Sequence, residues 1–291
     1  MIRRLTLATL AVLLAAGTLS ASEASGTVFM WKAQKNGGAP VYLLGSIHAL
    51  KADAYPLPAA IEAAFDEAEV VVFEVDLDEM NGAAVRMLAA GSLEDGRTLE
   101  QTVGPELWAE VAAAAADAGL DPSMLRFMKP WMAALSVAAV ELSSAGYLPS
   151  YGLDSHFFQR AKEEGKERAA LETMEYQIGL FADFTPEESA EFLRYTLSDL
   201  KSIEPVLDAL YRHWLAGEVE PVEELLGSEF EEFPDLYRTI VTDRNLYWID
   251  RIEELLAGQR DAMVVVGALH LVGEQGLVAL LRRNGYLVTQ M

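Results

Sequence analysis

The chain has 291 residues, 52% of them apolar, and a formal net charge of −23. This acidity makes nucleic acid and anionic membranes poor partners. The sequence contains no cysteine, which excludes disulfides and a lipid-anchoring cysteine.

Residues 1–22 have the layout of a secretory signal peptide. Arg3 and Arg4 precede an apolar run from Leu5 to Leu19, and small residues follow it up to Ala24. The run is shorter than the roughly 20 apolar residues of a membrane-spanning helix. We therefore expect an exported protein, periplasmic or secreted, with no stable membrane anchor beyond this segment. Cleavage would leave a charge of −25, because residues 1–22 carry two arginines and no acidic residue.

Two predicted strands, residues 41–44 and 70–75, open the mature chain. A helix is predicted between them. Pro58 suits its first turn, and four apolar residues share one helical face: Ile61, Ala64, Phe65 and Ala68. Strand, helix and strand over this distance form a βαβ unit, whose crossover makes the two strands parallel.

Two further units follow the same pattern. A helix at residues 154–164, capped near Gly165, leads into a short strand at 168–172. Near the C-terminus a strand at 262–266, a helix at 274–284 with Gly285 as its cap, and a strand at 286–290 are predicted. The three units predict an α/β fold with a mixed, largely parallel sheet.

Helix-forming residues dominate two long stretches, 83–145 and 186–257. We interpret them as helical insertions or lids on an α/β core at residues 27–80, 150–180 and 258–291. The sequence shows no repeat and no low-complexity linker. Residues 27–291 are therefore predicted to form one domain.

Two histidines and a carboxylate are expected at one edge of this sheet, because ligands collect beyond the C-terminal ends of parallel strands. His48 follows the first predicted strand, Glu74 lies near the end of the second, and His270 follows the strand at 262–266. Gly45 and Gly267 precede the histidines by three residues. We expect glycine there because an abrupt exit from a strand needs positive φ and no side chain.

Two neutral imidazoles and one carboxylate form a common open coordination set for Zn, Mn, Co or Fe. A divalent ion there would acidify water and polarise a carbonyl. Glu172, at the end of the third predicted strand, is a candidate fourth ligand or general base. A single strand-end histidine is more often a structural hydrogen-bonding residue. Two of the four histidines at matching positions favour a functional site.

Arg244 and Asn245 lie on or beside the apolar stripe of a predicted helix. Arg244 either stabilises an oxyanion or forms an ion pair with an acidic residue, and we favour the ion pair. Asp154 is interpreted as a helix N-cap.

Pro130 is interpreted as a helix start with Trp131 in the core. His156 and His213 have no partners at ligand spacing, and we assign them no role.

Taken in chain order, these segments resemble the TraB/GumN family from about Val28 to the C-terminus. The resemblance is carried by residues 43–48, 72–74, 129–131, 152–154, 171–173, 244–245 and 266–271. The family is related to Tiki metalloproteases and more distantly to erythromycin esterases and haem-binding ChaN proteins. The resemblance therefore implies an α/β core with helical additions.

In Tiki-like members, the Gly-x-x-His histidines and a strand-end glutamate are linked to metal-dependent peptide cleavage. These residues map onto His48, His270 and Glu74. The chain departs from a symmetric two-carboxylate pattern, because its last predicted strand offers only Thr289 and Gln290.

Three functional hypotheses follow. The leading one is an exported metal-dependent, peptidase-like hydrolase, in which His48, Glu74 and His270 hold the ion and Glu172 assists proton transfer. The second is a metal-independent, esterase-like hydrolase with His48 as general base. The third is a non-catalytic protein that binds haem, a metal or a peptide. The substrate of either enzyme would be a peptide or a small molecule.

Overall fold

The computed structural model describes residues 26–291, except 36, 95, 201–202, 229 and 231–232. The predicted signal peptide lies outside the described residues. The described chain folds around one six-stranded sheet against which helices pack. The α/β class predicted from the three βαβ patterns is therefore confirmed.

The sheet has the strand order β4-β3-β5-β2-β1-β6. The strands are β1 (Met30–Gln34), β2 (Val41–Ser46), β3 (Val70–Phe73), β4 (Glu167–Ala170), β5 (Ala262–Gly267) and β6 (Leu287–Gln290). Four neighbours, β4, β3, β5 and β2, are parallel, whereas β1 is antiparallel to both β2 and β6. Strands β2, β3 and β5 are buried along their whole length, which explains their continuous apolar sequences.

Three details of the sheet differ from the sequence prediction. Strand β1 was not predicted, and β5 lies between β2 and β3, which the βαβ pattern alone does not reveal. Strands β3 and β4 end at Phe73 and Ala170, so Glu74 and Glu172 lie just beyond the strands that were predicted to contain them. The ladder continues past these ends through a bond from Glu172 N–H to Glu74 O at 2.9 Å.

Helices occupy both stretches predicted to be helical. The α-helices of the described ranges, inside and outside these stretches, are α1 (Ala59–Glu67), α2 (Met80–Ala90), α3 (Leu99–Val103), α4 (Pro105–Asp117), α5 (Pro130–Ser144), α6 (Leu153–Glu163), α7 (Met174–Ala182), α8 (Pro186–Asp199), α9 (Ile203–Leu215), α10 (Val219–Ser228), α11 (Pro234–Tyr237), α12 (Asp243–Ala257) and α13 (Leu277–Arg283). A π-helix, Arg238–Thr242, runs directly into α12. No helix within the described ranges combines the length and apolar character needed to cross a membrane.

Prolines mark helix starts close to where they were predicted. Pro130 begins α5, and Trp131 beside it is buried, as predicted. Pro58 is the N-cap of α1 and so precedes its first turn. Gly165 and Gly285 have positive φ just past α6 and α13, in agreement with their prediction as helix caps.

The two helical stretches are buried in different ways. Helices α3, α4, α5 and α8 share a separate apolar core that includes Leu99, Val111, Val137 and Leu193. Helices α9, α10 and α12 instead contribute Trp214, Val222, Trp248 and other residues to the core on the sheet. The second stretch is therefore divided: α8 packs with the first stretch, whereas α9, α10 and α12 belong to the sheet's own core. This places α12 beside the C-terminal ends of the strands.

Candidate functional site

The loops after β2, β3 and β5 leave the sheet at the same edge. In the parallel ladder Ser46 pairs with Gly267, and Phe73 pairs with Val265. The backbone N–H of Gly267 donates a 2.7 Å hydrogen bond to Glu74 Oε1. Because β5 lies between β2 and β3, this bond holds the Glu74 side chain over the end of β5, toward the loops that carry the two histidines.

His48, Glu74 and His270 converge, and we call them the His–Glu–His triad. His48 Nε2 and His270 Nε2 each lie 3.9 Å from the same atom, Glu74 Oε1. A β-carbon on Gly267 would lie 3.1 Å from His48 Nε2 and 3.4 Å from Glu74 Oε1. The missing side chain of Gly267 therefore leaves the meeting point of the triad clear.

The conformational reason expected for the two glycines is wrong. Gly267 has a φ of −50°, and Gly45, inside β2, is not among the residues with positive φ. What both positions require is the absence of a side chain. A β-carbon on Gly45 would lie 2.6 Å from the ring of Phe29, which is too close for any real contact.

His270 is buried and held at both ring nitrogens. Its Nε2 lies 3.1 Å from Arg244 Nη1, and its Nδ1 lies 2.7 Å from Asn245 Oδ1. An arginine can only donate, so Nε2 accepts and the Nδ1–H donates to Asn245. Burial, together with the positive charges of Arg244 and His48, lowers the pKa of His270 to about 3. His270 is therefore neutral at pH 7, and its Nε2 lone pair accepts the hydrogen bond from Arg244 Nη1.

His48 has the opposite surroundings. Its side chain is 59% exposed, and its Nδ1 lies 3.3 Å from Asp154 Oδ1. Partial burial lowers the pKa of His48, but the carboxylates of Asp154 and Glu74 outweigh it and raise the pKa to about 9. At pH 7 the ring is positively charged, and its Nδ1–H donates to Asp154.

The interpretation of Asp154 as a helix N-cap is wrong. Gly152 is the N-cap of α6, and Asp154 lies in the first turn with its carboxylate beside His48. Ser46 Oγ donates to the same carboxylate at 3.1 Å. A β-carbon on Gly152 would lie 2.2 Å from His48 O, so glycine there lets the helix end approach the loop closely.

Glu74 is an ionised carboxylate with donors on both oxygens. Oε1 accepts from Gly267 N–H, and Oε2 accepts from Arg244 Nη2 at 2.6 Å and from Gln177 Nε2 at 3.0 Å. Burial alone would raise the pKa of Glu74, but the charges of His270, Arg244 and His48 and the Gly267 bond lower it to about 2. Because His270 is neutral at pH 7, the Arg244 guanidinium is the dominant partner there.

Arg244 forms the ion pair favoured from the sequence, and its acidic partners are Glu74 and Glu172. Its Nη2 and Nε lie 2.7 and 3.1 Å from Glu172 Oε1, and Trp248 Nε1–H donates to Glu172 Oε2 at 2.9 Å. The guanidinium also lies over the Trp248 ring, 4.5 Å from its centroid. Burial raises the pKa of Glu172. Both Glu172 oxygens accept hydrogen bonds from these donors, so Glu172 holds Arg244 in place.

Sequence reasoning missed three contributors to the site. Asp154 had a usable signal, because the Gly152–Asp154 segment is part of the family resemblance. Trp248 follows Arg244 by one helical turn, which places both on the same face of α12. Gln177 on α7 had no signal, because only the packing of α7 brings it to Glu74.

The donor chemistry of the triad is compatible with a divalent ion. Asp154 and Asn245 accept hydrogen bonds from the two Nδ1 atoms, as the outer partners of metal-binding histidines usually do, and both Nε2 atoms lie toward Glu74. His270 Nε2 accepts from Arg244 Nη1, and a metal bond at this atom would replace that hydrogen bond. Two donors about 2.1 Å from one ion are about 3.4 Å apart in a tetrahedron, so the 3.9 Å separations are somewhat wide. Within the described residues, no three His, Cys, Asp or Glu side chains already stand at bound-ion spacing.

The same segments that build the site connect the chain to known proteins. The model of the TraB/PrgY/gumN family matches residues 29–290. This chain belongs to that family. The match spans every site residue described above, and it confirms the resemblance carried by the ordered motifs.

Two curated relatives have similar sequences. The uncharacterized protein YbaP of Escherichia coli K12 is 27% identical over 241 residues, which cover 83% of this chain and 87% of the relative. YbaP of Shigella flexneri matches to the same extent. No solved structure matches the chain.

Proposed function

We propose that this member of the TraB/PrgY/gumN family is an exported, metal-dependent hydrolase of peptide bonds, with His48, Glu74 and His270 as the metal ligands. The observation that carries the proposal is the approach of two imidazole Nε2 atoms to one carboxylate oxygen, each at 3.9 Å. Two histidines and one carboxylate leave coordination positions open for substrate and water.

A divalent ion held by the triad, whether Mn, Co, Zn or Fe, supplies a Lewis acid that polarises the scissile carbonyl and acidifies water. The protein's part is to hold the ligands in place. Asp154 orients the exposed ring of His48, and Asn245 orients the buried ring of His270. Gly267 keeps the meeting point free of side-chain atoms.

Arg244 supplies a fixed positive charge at the buried side of the site. Its Nη1 and Nη2 donate to His270 and Glu74, so the guanidinium borders the space between the ligands. A cation there stabilises negative charge that develops on a carbonyl oxygen during hydrolysis. Glu172 and Trp248 hold the guanidinium in this orientation, so the proposal uses Glu172 as a positioning residue. The role of Glu172 as a fourth ligand or general base stays a prediction.

Export is the second part of the proposal and rests on residues 1–22. Two arginines, an apolar run and a small-residue stretch are the three regions that signal peptidases recognise. N-terminal sequencing of the protein recovered from outside the cytoplasm should give a mature start close to residue 23. A full-length chain retained in the cytoplasm would overturn this part alone.

Metal content tests the ligand assignment directly. Purified wild-type protein should contain about one divalent ion per chain by mass spectrometry of the metals, and His48→Ala and Glu74→Gln should lose it. His213→Ala is the matched control, because His213 is paired with Glu218 away from the site. A wild-type protein without a defined metal stoichiometry, together with a His48→Ala variant of unchanged properties, contradicts the proposal.

Hydrolysis is tested on a quenched fluorescent peptide library. Wild-type protein should cleave members of the library, chelation should abolish cleavage, and added divalent metal should restore it. Folded Glu74→Gln protein should be inactive.

A metal-independent hydrolase is the second candidate, and the pairing of His48 with Asp154 favours it. A carboxylate that fixes one ring nitrogen while the other faces an open side is the arrangement of a general base. Cleavage that survives strong chelation and falls by roughly 10²- to 10⁴-fold in Asp154→Asn would favour this candidate.

A further inference from the structure

A large cavity lies between α7, α8 and the segment from Phe233 to Thr239. Its volume is about 860 Å³, within the range of roughly 300–1,000 Å³ that is typical of ligand sites. None of the triad residues lines it. The cavity is therefore separate from the space between the three triad side chains, and the proposed metal site does not explain it.

Two walls of the cavity also build the triad's surroundings. Helix α7 lines the cavity and carries Gln177, which donates to Glu74. The π-helix lines it through Arg238 and Thr239, and its Ile240 O accepts from Arg244 Nη1 at 3.0 Å. A molecule in the cavity therefore touches the elements that hold Glu74 and Arg244.

Aromatic side chains form much of the cavity wall. The rings of Phe184 and Phe192 are 5.8 Å apart, and those of Tyr195 and Phe233 are 4.8 Å apart. All four side chains are only half-buried. Such a wall gains free energy when an apolar side chain covers it, and its ring faces attract a neighbouring cation.

Acidic side chains dominate the charge of the cavity. Asp183 and Glu191 line it, are exposed, and form no ion pair among the described residues. Its basic residue, Arg238, is paired with Asp235 at 3.3 Å. The unbalanced charge in the cavity is therefore negative, next to an apolar surface.

We propose that this cavity is a substrate subsite that binds a peptide segment in which a lysine or arginine lies next to an aromatic or aliphatic side chain. The cation would meet Asp183 and Glu191, and the apolar side chain would cover the rings of Phe184 and Phe192. The role as a subsite of cleavage rests on the proposed hydrolase function, whereas peptide binding in the cavity can be measured without it.

The test is direct binding, measured by fluorescence anisotropy at physiological ionic strength. The probe is a labelled pentapeptide with lysine between two phenylalanines, compared with the same peptide carrying glutamate in place of lysine. The lysine peptide should bind at least tenfold more tightly. Asp183→Asn/Glu191→Gln should weaken it about tenfold, as expected for two partly exposed ion pairs.

A matched control separates the cavity from the general acidity of the chain. Glu163→Gln/Glu187→Gln removes two negative charges from exposed positions outside the cavity and should leave binding unchanged. Equal binding of the two peptides, or equal weakening by both double variants, overturns the subsite.

The hydrolase proposal fails separately. Glu74→Gln should bind the lysine peptide like the wild type. If both proteins bind it and neither the wild type nor its metal-loaded form cleaves any peptide, the subsite stands and the hydrolase does not.

Discussion

The two Gly-x-x-His segments of this chain have similar sequences, but their histidines differ in exposure and in charge. His48 is 59% exposed beside the Asp154 carboxylate, which raises its pKa to about 9. His270 is 6% exposed, bonds to the Asn245 amide, and has its pKa lowered to about 3. One ring is charged and open to solvent at pH 7, and the other is neutral and fixed.

The difference shows what each histidine contributes to a shared site. The neutral ring of His270 can become a ligand near pH 7 by exchanging its hydrogen bond from Arg244, whereas the charged ring of His48 must first lose a proton to become a ligand or a base. His270 is thus the preorganised side of the triad, and His48 is the side that responds to its surroundings. The following predictions test this asymmetry.

Arg244 bonds to Glu74, Glu172 and His270 on the buried side of the site, so its removal should have the largest effect on stability. Arg244→Leu leaves Glu74 and Glu172 without their cation and should lower the free energy of unfolding by about 3–5 kcal/mol in chemical denaturation. Arg251→Ala on the same helix removes an exposed ion pair and should change it by no more than about 0.5 kcal/mol. Equal effects of the two variants would contradict the burial of the Arg244 ion pairs with Glu74 and Glu172.

Asp154→Asn should make the two histidines more alike. The Asp154 carboxylate helps to raise the pKa of His48 to about 9, so its removal should lower this pKa by more than one unit. An NMR titration of chelator-treated wild type and variant would measure the difference. The His213 signal serves as internal control. An unchanged titration of His48 would mean that Asp154 does not control its charge.

The same carboxylate predicts a pH dependence of stability. Because folding raises the pKa of His48 from 6.5 to about 9, its stabilising contribution is complete below pH 6.5 and is lost as the pH rises through 9. The metal-free wild type should therefore lose more unfolding free energy over this window than Asp154→Asn does.

Alanine at Gly45 should lower the stability of the fold, whereas alanine at Gly267 should mainly weaken metal binding. Gly45→Ala forces a β-carbon against the buried ring of Phe29 and should cost about 1–3 kcal/mol of stability. Gly267→Ala makes its tightest contact, 3.1 Å, with the end of the exposed His48 ring, which can shift, and should cost less stability. It should instead weaken metal binding roughly 10-fold or more, measured by calorimetry. Loss of metal in Gly45→Ala but not in Gly267→Ala would reverse this assignment.

Replacing the two histidines should change the stability of the fold to different extents. His270→Ala leaves buried partners of both ring nitrogens unbonded and should cost about 1–3 kcal/mol. Above pH 9, where His48 is neutral and its charge no longer stabilises the fold, His48→Ala exposes little that water cannot satisfy and should stay within about 0.5 kcal/mol. Thermal unfolding of the two metal-free variants measures the difference, and a larger loss for His48→Ala would contradict the burial described.

Much of the sheet could be predicted because its central strands are local patterns. Buried parallel strands need continuous apolar runs, and residues 70–75 and 262–266 show them in the sequence. Strand β1 was not predicted because its formation depends on pairing with β2 and β6. Strand β6 comes from the far end of the chain, so no local pattern indicates this pairing. The position of β5 between β2 and β3 is equally a matter of long-range pairing.

The triad could be predicted as a group because strand ends are topologically constrained. Once β2, β3 and β5 are parallel, the residues after them share an edge. The residues that bond to the triad side chains could not be predicted in the same way. The Asp154 carboxylate reaches His48 because α6 approaches that loop at Gly152, and Gln177 reaches Glu74 because of how α7 packs.

The sequence by itself determined the Gly-x-x-His segments, the strands before them and their common edge, because these follow from apolar runs and the geometry of parallel strands. Only the tertiary structure decided which histidine is buried, which is charged, and that Arg244 joins Glu74 to Glu172. Burial and partner charge depend on helices that arrive from distant parts of the chain, and no local pattern encodes their approach.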